Sequence, residues 1–137
     1  MIIRGRQSSM TLLALCTALA SPWAVADEFT QEDIARWQGQ FIAVMESGRT
    51  LWSDGKLGAN GVTCARCHPN AANVHPETYP KFQKQLGRVA ALWEMINWCL
   101  HNTAAAQPLA ADDPKMIALQ AYAVYERRGI PLDPGKH

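Results

Sequence analysis

Cys64-Ala65-Arg66-Cys67-His68 is the stretch that decides how this chain folds. Two thiols three positions apart, followed at once by an imidazole, have the spacing needed to add to the two vinyl groups of a haem and to offer a nitrogen to its iron. A bare pair of this kind could also be a redox dithiol or half of a zinc site. The surrounding sequence speaks against both. No strand pattern precedes Cys64, as a dithiol oxidoreductase would have. Cys99 with His101 makes a poor second ligand pair for zinc. Covalent attachment of one haem c, through Cys64 and Cys67 with His68 on the iron, is therefore the reading carried forward.

The amino terminus agrees with it. Arg4 and Arg6, an apolar run from Met10 to Ala20, and Ala24-Val25-Ala26 read as an export leader with its cleavage site, so residues 1–26 are expected to be removed and the mature domain to cover 27–137. The apolar run is too short to span a bilayer. Leu15 precedes Cys16 where a lipoprotein signal would place a small residue, so Cys16 is read as part of the leader. The expected location is the periplasm, as a soluble protein and not an integral membrane one. Export matters for the cysteines, because thiols outside the cytoplasm tend to be oxidised. The mature chain keeps an odd number of them, Cys64, Cys67 and Cys99, and the third needs an explanation.

The full chain has 137 residues, 48% of them hydrophobic, which is globular in composition and enough for one domain. Loss of Arg4 and Arg6 from the 13 basic residues leaves 11 against 12 acidic ones, a net charge of −1. No clustered basic face points to nucleic acid. A chain of this size buries a modest fraction of its surface, and a covalent macrocycle would add a large apolar group to its core. The tryptophans and tyrosines are expected to line that group, with Trp37, Trp52, Trp93 and Trp98 read as ordinary core aromatics.

Three helices are expected around a central loop region, an all-α fold. The first begins at Thr30, a capping residue supported by Asp33, and shows Ile34, Trp37, Phe41 and Met45 as a buried stripe before ending near Gly48 or a turn later at Trp52. From Asp54 to Pro80, glycine, proline and asparagine abolish any apolar period, as in a loop built to wrap something. The second helix is expected from Phe82 to His101, with Leu86, Val89, Leu92, Trp93, Ile96, Cys99 and Leu100 inward. The third has Asp113 as cap, Pro114 first, Arg127 and Arg128 in its last turn and Gly129 after it. Its apolar face is read as Ile117, Ala121, Tyr122, Val124 and Tyr125.

Side chains able to take the sixth position on the iron are Cys99, Met116, Met95, Met45, His75 and His101. Cys99 leads, being the unpaired cysteine and placed inward by helical phase, although free cysteines are also often plain buried hydrophobes. Met116 is the alternative, in the first turn of the last helix. Spacing alone leaves the choice open.

Taken in order, Gly48-Arg49-Thr50-Leu51-Trp52 and the Cys64 motif resemble class I cytochromes c. Tyr79-Pro80-Lys81-Phe82, Ile96-Asn97-Trp98-Cys99, Pro108-Leu109, Met116 and Ala121-Tyr122 then resemble the haem domains of the SoxA and thiosulfate dehydrogenase cytochromes of bacterial sulfur oxidation, over roughly Gly48 to Ile130. The resemblance implies three main helices around a covalent haem, and a ligand pair of His68 and Cys99. A thiolate ligand pushes electron density onto iron, which favours the oxidised state. Catalytic members commonly hold two haems or work against a second haem subunit, whereas this sequence has one haem motif.

Three functions follow as expectations. The leading one is single-electron transfer with redox partner proteins, a dehydrogenase or another cytochrome, as a carrier or as the haem subunit of a complex. The second is catalysis on a sulfur compound such as thiosulfate, with Cys99 at the iron. Arg66, Lys81 and Arg88 could attract such an anion, though residues of this kind are mostly solvated surface charge. The third is a haem sensor whose weak sixth ligand is displaced by a gas.

Overall fold

The computed structural model describes residues 29–131. The expected leader at 1–26, Cys16, the mature start at Asp27 and the last six residues lie outside it. Three long helices dominate: α1 (Gln31–Trp52), α3 (Leu92–Asn102) and α4 (Pro114–Arg127). Between the first two lie a single-turn helix α2 (Cys64–Cys67), two 3₁₀ turns at Pro69–Ala71 and Pro76–Thr78, and a small antiparallel hairpin of β1 (Lys81–Gln83) and β2 (Arg88–Ala90).

Helix α1 starts as its capping residues require. Thr30 Oγ1 accepts from the Asp33 amide at 3.0 Å, and the Asp33 carboxylate accepts from the Thr30 amide at 3.2 Å. The helix runs through Gly48 to Trp52, the longer of the two ends the sequence allowed. Gly48 is the point of closest approach to α4: a β-carbon there would sit 1.9 Å from the Ala118 carbonyl oxygen. Arg49 fastens the same crossing through Glu126 at 3.3 Å.

The expected stripe on α1 is buried only in its second half. Met45 and Trp52 are in the core, but Trp37 and Phe41 stay exposed, because the first turns of α1 extend past the end of α4. Only Phe41 reaches Tyr125 there, 6.4 Å between ring centroids, with the Arg128 guanidinium over both rings. Helix α4 has the expected boundaries, with the Asp113 carboxylate accepting from the Lys115 amide at 2.8 Å. Its buried face is rotated from the expected one. Met116, Ala118, Leu119, Tyr122 and Ala123 face inward, and Ile117 and Val124 face out. Small alanines let α1 approach closely, a packing demand that outranks side-chain hydrophobicity at Ile117.

The expected second helix is half strand. Its region 82–91 forms the hairpin, and α3 starts at Leu92. Phe82, Leu86 and Val89 have helical spacing, yet Gly87 takes φ +67 and the Gln83 carbonyl accepts from the amides of both Leu86 and Gly87, closing a tight turn. Glu94 then fixes the true helix start, accepting from the Ala91 amide at 2.8 Å and from Arg88 at 2.6 Å.

Two apolar clusters result. Met45, Trp52, Ala71, Leu119, Tyr122 and Ala123 hold α1, α4 and the turn after α2 together. Leu100, Ala104, Ala106 and Met116 join α3 to α4.

Candidate haem site

The site is built upward from Thr63. Its hydroxyl accepts from the Arg66 amide at 3.2 Å, capping the single turn that carries both cysteines. His68 ends that turn, and its own amide donates to the Cys64 carbonyl at 2.9 Å. Beyond it the chain curls sharply: Asn70, Ala71, Asn73 and His75 all take left-handed φ values, which the asparagines tolerate well. The curl delivers the Ala72 carbonyl to His68 Nδ1 at 2.8 Å. A carbonyl can only accept, so Nδ1 carries the proton and Nε2 keeps its lone pair free for a metal. From the core side, the Trp52 indole donates to the His68 carbonyl at 2.8 Å and fixes the backbone that carries the imidazole.

His68, Cys64 and Cys67 open onto a cleft of about 960 Å³. Its apolar lining comes from Trp52, Val62, Val74, Leu92, Ile96 and Leu100, and α3 contributes Met95, Trp98 and Cys99. Tyr79 and the hairpin residues 81–85 complete the wall. Among the residues weighed from sequence, the structure thus brings Cys64, Cys67, His68, Cys99 and Met95 to one cavity. Met116 is fully buried beside Leu100 and does not line it. Met45 belongs to the other cluster. His75 is buried with Nδ1 3.2 Å from Glu77, and His101 is exposed at the end of α3.

The sulfurs disfavour one another's thiolate forms. Burial pushes the Cys64 thiol up to about 11, with the neighbouring Cys99 adding to the rise. Cys99 is raised by burial and then by Cys67. The Tyr79 phenol is raised to about 12 by burial and then by Cys99. A reactive dithiol needs a depressed thiol pKa, and Cys64 has the opposite. No group of three or more His, Cys, Asp or Glu side chains among the described residues converges to hold a metal ion, as a zinc centre would require. Paired thiols and a tautomer-fixed imidazole bordering an apolar slot suit a porphyrin held by thioethers.

Sequence reasoning gave no role to three residues that shape this site. Asn97 clamps the loop after α3, donating to the Leu109 carbonyl at 2.8 Å and accepting from the Leu109 amide at 2.9 Å. Gly58 lets the loop before α2 press on the end of α3, where a β-carbon would lie 2.0 Å from the Ala104 carbonyl oxygen. Asn60 secures the same contact through the Thr103 carbonyl at 2.8 Å. The glycine- and asparagine-rich composition of 55–61 hinted at a turn but not at what it presses on.

No described helix is long and apolar enough to cross a membrane. Comparison with known proteins matches residues 47–132 to the model of the SoxA/TsdA cytochrome c domain. A thiosulfate dehydrogenase of Allochromatium vinosum is 28% identical over 85 residues, which cover 53% of this chain and 32% of the relative. The L-cysteine S-thiosulfotransferase subunit SoxA of Pseudaminobacter salicylatoxidans is 27% identical over 117 residues, 82% of this chain and 40% of the relative. The chain therefore spans about a third to two-fifths of the length of these relatives. A cytochrome c domain implies covalently bound haem c, redox partners and the mostly helical class I cytochrome c-like fold described above. With the family model covering well over half of its residues, this chain belongs to the SoxA/TsdA cytochrome c domain family.

Proposed function

We propose that this chain is an exported, periplasmic c-type cytochrome that carries one haem in its 27–137 domain and passes single electrons in the oxidation of sulfur compounds, as a soluble carrier or as the haem subunit of a redox complex. The observation that carries this reading is that Cys64, Cys67, His68 and Cys99 all open onto one apolar cleft. Cys64 and Cys67 would hold the haem by thioethers, with His68 Nε2 and Cys99 as the side chains that would bind its iron. When bound, the haem supplies one-electron exchange at its iron. The chain's own part is to orient His68 through Ala72 and Trp52, and to keep water off the metal with Trp52, Ile96 and Trp98.

The test is the full chain expressed with a c-type maturation system. Colour that stays with the denatured polypeptide is expected, together with a low-spin thiolate signal in electron paramagnetic resonance of the oxidised protein that Cys99→Ala removes. An unchanged signal in that variant would make Cys99 a packing residue and turn attention to Met95, the methionine on the cleft wall. A second reading, catalysis on a sulfur compound, is favoured by the names of the two relatives. Catalytic reduction of an acceptor on addition of thiosulfate would establish it in place of simple electron transfer.

A further inference from the structure

The hairpin beside the cleft is built inside out. Its register pairs Lys81 with Ala90, Phe82 with Val89 and Gln83 with Arg88, and successive side chains alternate between its two faces. Gln83 and Ala90 are buried against the protein, while Phe82 and Val89, directly opposite each other, are 64% and 61% exposed. An antiparallel pair with one wet face ordinarily does the reverse. The polar residue inside is accounted for, since the Gln83 amide donates to the Tyr79 hydroxyl. Of the apolar pair outside, Phe82 also touches the rim of the cleft, and Val89 does not.

Charge around this pair is one-sided. From Thr78 to Trp93 there is no acidic residue, and Lys81, Lys84 and Arg88 all belong to the hairpin. Arg88 is neutralised by Glu94 at 2.6 Å and the Lys81 ammonium sits 4.7 Å over the Tyr79 ring, while Lys84 has no acidic partner among the described residues. The chain as a whole is nearly balanced, 13 basic against 12 acidic residues, so this segregation is local. An apolar centre within a charged rim is the anatomy of a protein interface. Lys81, Phe82 and Lys84 also border the cleft, so a molecule seated on the hairpin would sit beside the cofactor's space.

We propose that the outer face of the β1–β2 hairpin, Phe82 and Val89 with Lys84 at the turn, is the docking surface for a redox partner protein whose own contact face is acidic around an apolar centre. This rests on reading the chain as an electron-transfer cytochrome. A patch this small gives a short-lived complex, and opposite charge sets its rate of formation.

The experiment uses the full, haem-loaded chain, reduced and mixed by stopped flow with oxidised plastocyanin, an acidic blue-copper protein. One electron leaves the cytochrome and Cu(II) becomes Cu(I). The second-order rate is expected to fall about tenfold or more as salt rises from about 10 mM to about 300 mM. Arg88→Gln, at a position outside the cleft lining, leaves the Glu94 carboxylate without its partner beside the patch and should slow the reaction about threefold at low salt, while reacting as fast as wild type or faster with the small trication hexaammineruthenium(III). Val89→Ser, whose side chain is outside the cleft lining, should slow the protein reaction about threefold without changing the ruthenium rate. Plastocyanin rates that ignore both variants, or that rise with salt, would overturn the docking surface alone. Wild-type dimers abolished by Val89→Ser would assign the face to a second copy and overturn it too. If neither oxidant takes an electron, the electron-transfer reading falls and the docking surface with it.

Discussion

Gly48 shows how one residue sets the distance between two helices. A β-carbon at this position would meet the Ala118 carbonyl oxygen at 1.9 Å and Tyr122 Cβ at 2.8 Å. The first of these contacts is backbone, so neither helix can yield without shifting the other. Gly48→Ala gains about 1 kcal/mol of helix propensity and loses more through overpacking. A net destabilisation of about 1–3 kcal/mol is expected, read as a lower urea midpoint of the haem-loaded protein. His68 shows the complementary case, in which the Ala72 carbonyl on its ring and the Trp52 indole on its own carbonyl convert a flexible imidazole into a fixed one.

At the scale of elements, the strength of each join follows from which backbone groups it satisfies. Asn97 on α3 holds both the amide and the carbonyl of Leu109, so Asn97→Ala leaves two half-buried main-chain groups without partners. A loss of about 2–4 kcal/mol is expected, together with faster amide exchange at Leu109, whereas amides of α1 keep their protection. The start of α1 depends on pH in the opposite direction to a histidine contact. The Thr30 hydrogen bond, and then Arg36, hold the Asp33 carboxyl below its ordinary value of 3.8. The stabilisation from this cap is present above that ordinary value and is lost as pH falls through the depressed one. Amide exchange in the first turn of α1 should therefore accelerate at low pH relative to a neutral reference, with the Asp33→Ala variant showing no such step.

For the whole molecule, the cleft divides the core. About 960 Å³ in volume, it is bordered by Trp52 from α1, Ile96 and Leu100 from α3 and the helical turn α2 that carries the cysteines, and it lies beside both apolar clusters. A porphyrin seated there would supply dispersion contacts to everything that lines it. Protein made without haem attachment is expected to retain far-ultraviolet helical signal and to lose the near-ultraviolet signal of its tryptophans, with a broad thermal transition in place of a cooperative one. A sharp transition equal to that of the haem-loaded protein would show that the clusters suffice by themselves.

Much of this molecule was legible in the order of its residues, because it depends on short-range geometry. The Cys64–His68 spacing, the Thr30 and Asp113 caps, and the Gly129 stop after α4 each act within a few positions along the chain. The inward phase of Cys99 was legible for the same reason, since four residues of helix suffice to set it. The exposure of Ile117, Trp37 and Phe41 was not, nor was the break of the expected second helix into a hairpin. Apolar spacing records which side chains could share a face but not which face another element will cover. Close approach at Gly48 and Gly58, the clamp at Asn97 and the turn at Gly87 decided that, and three of the four depend on contacts made across the fold, where sequence separation carries no signal.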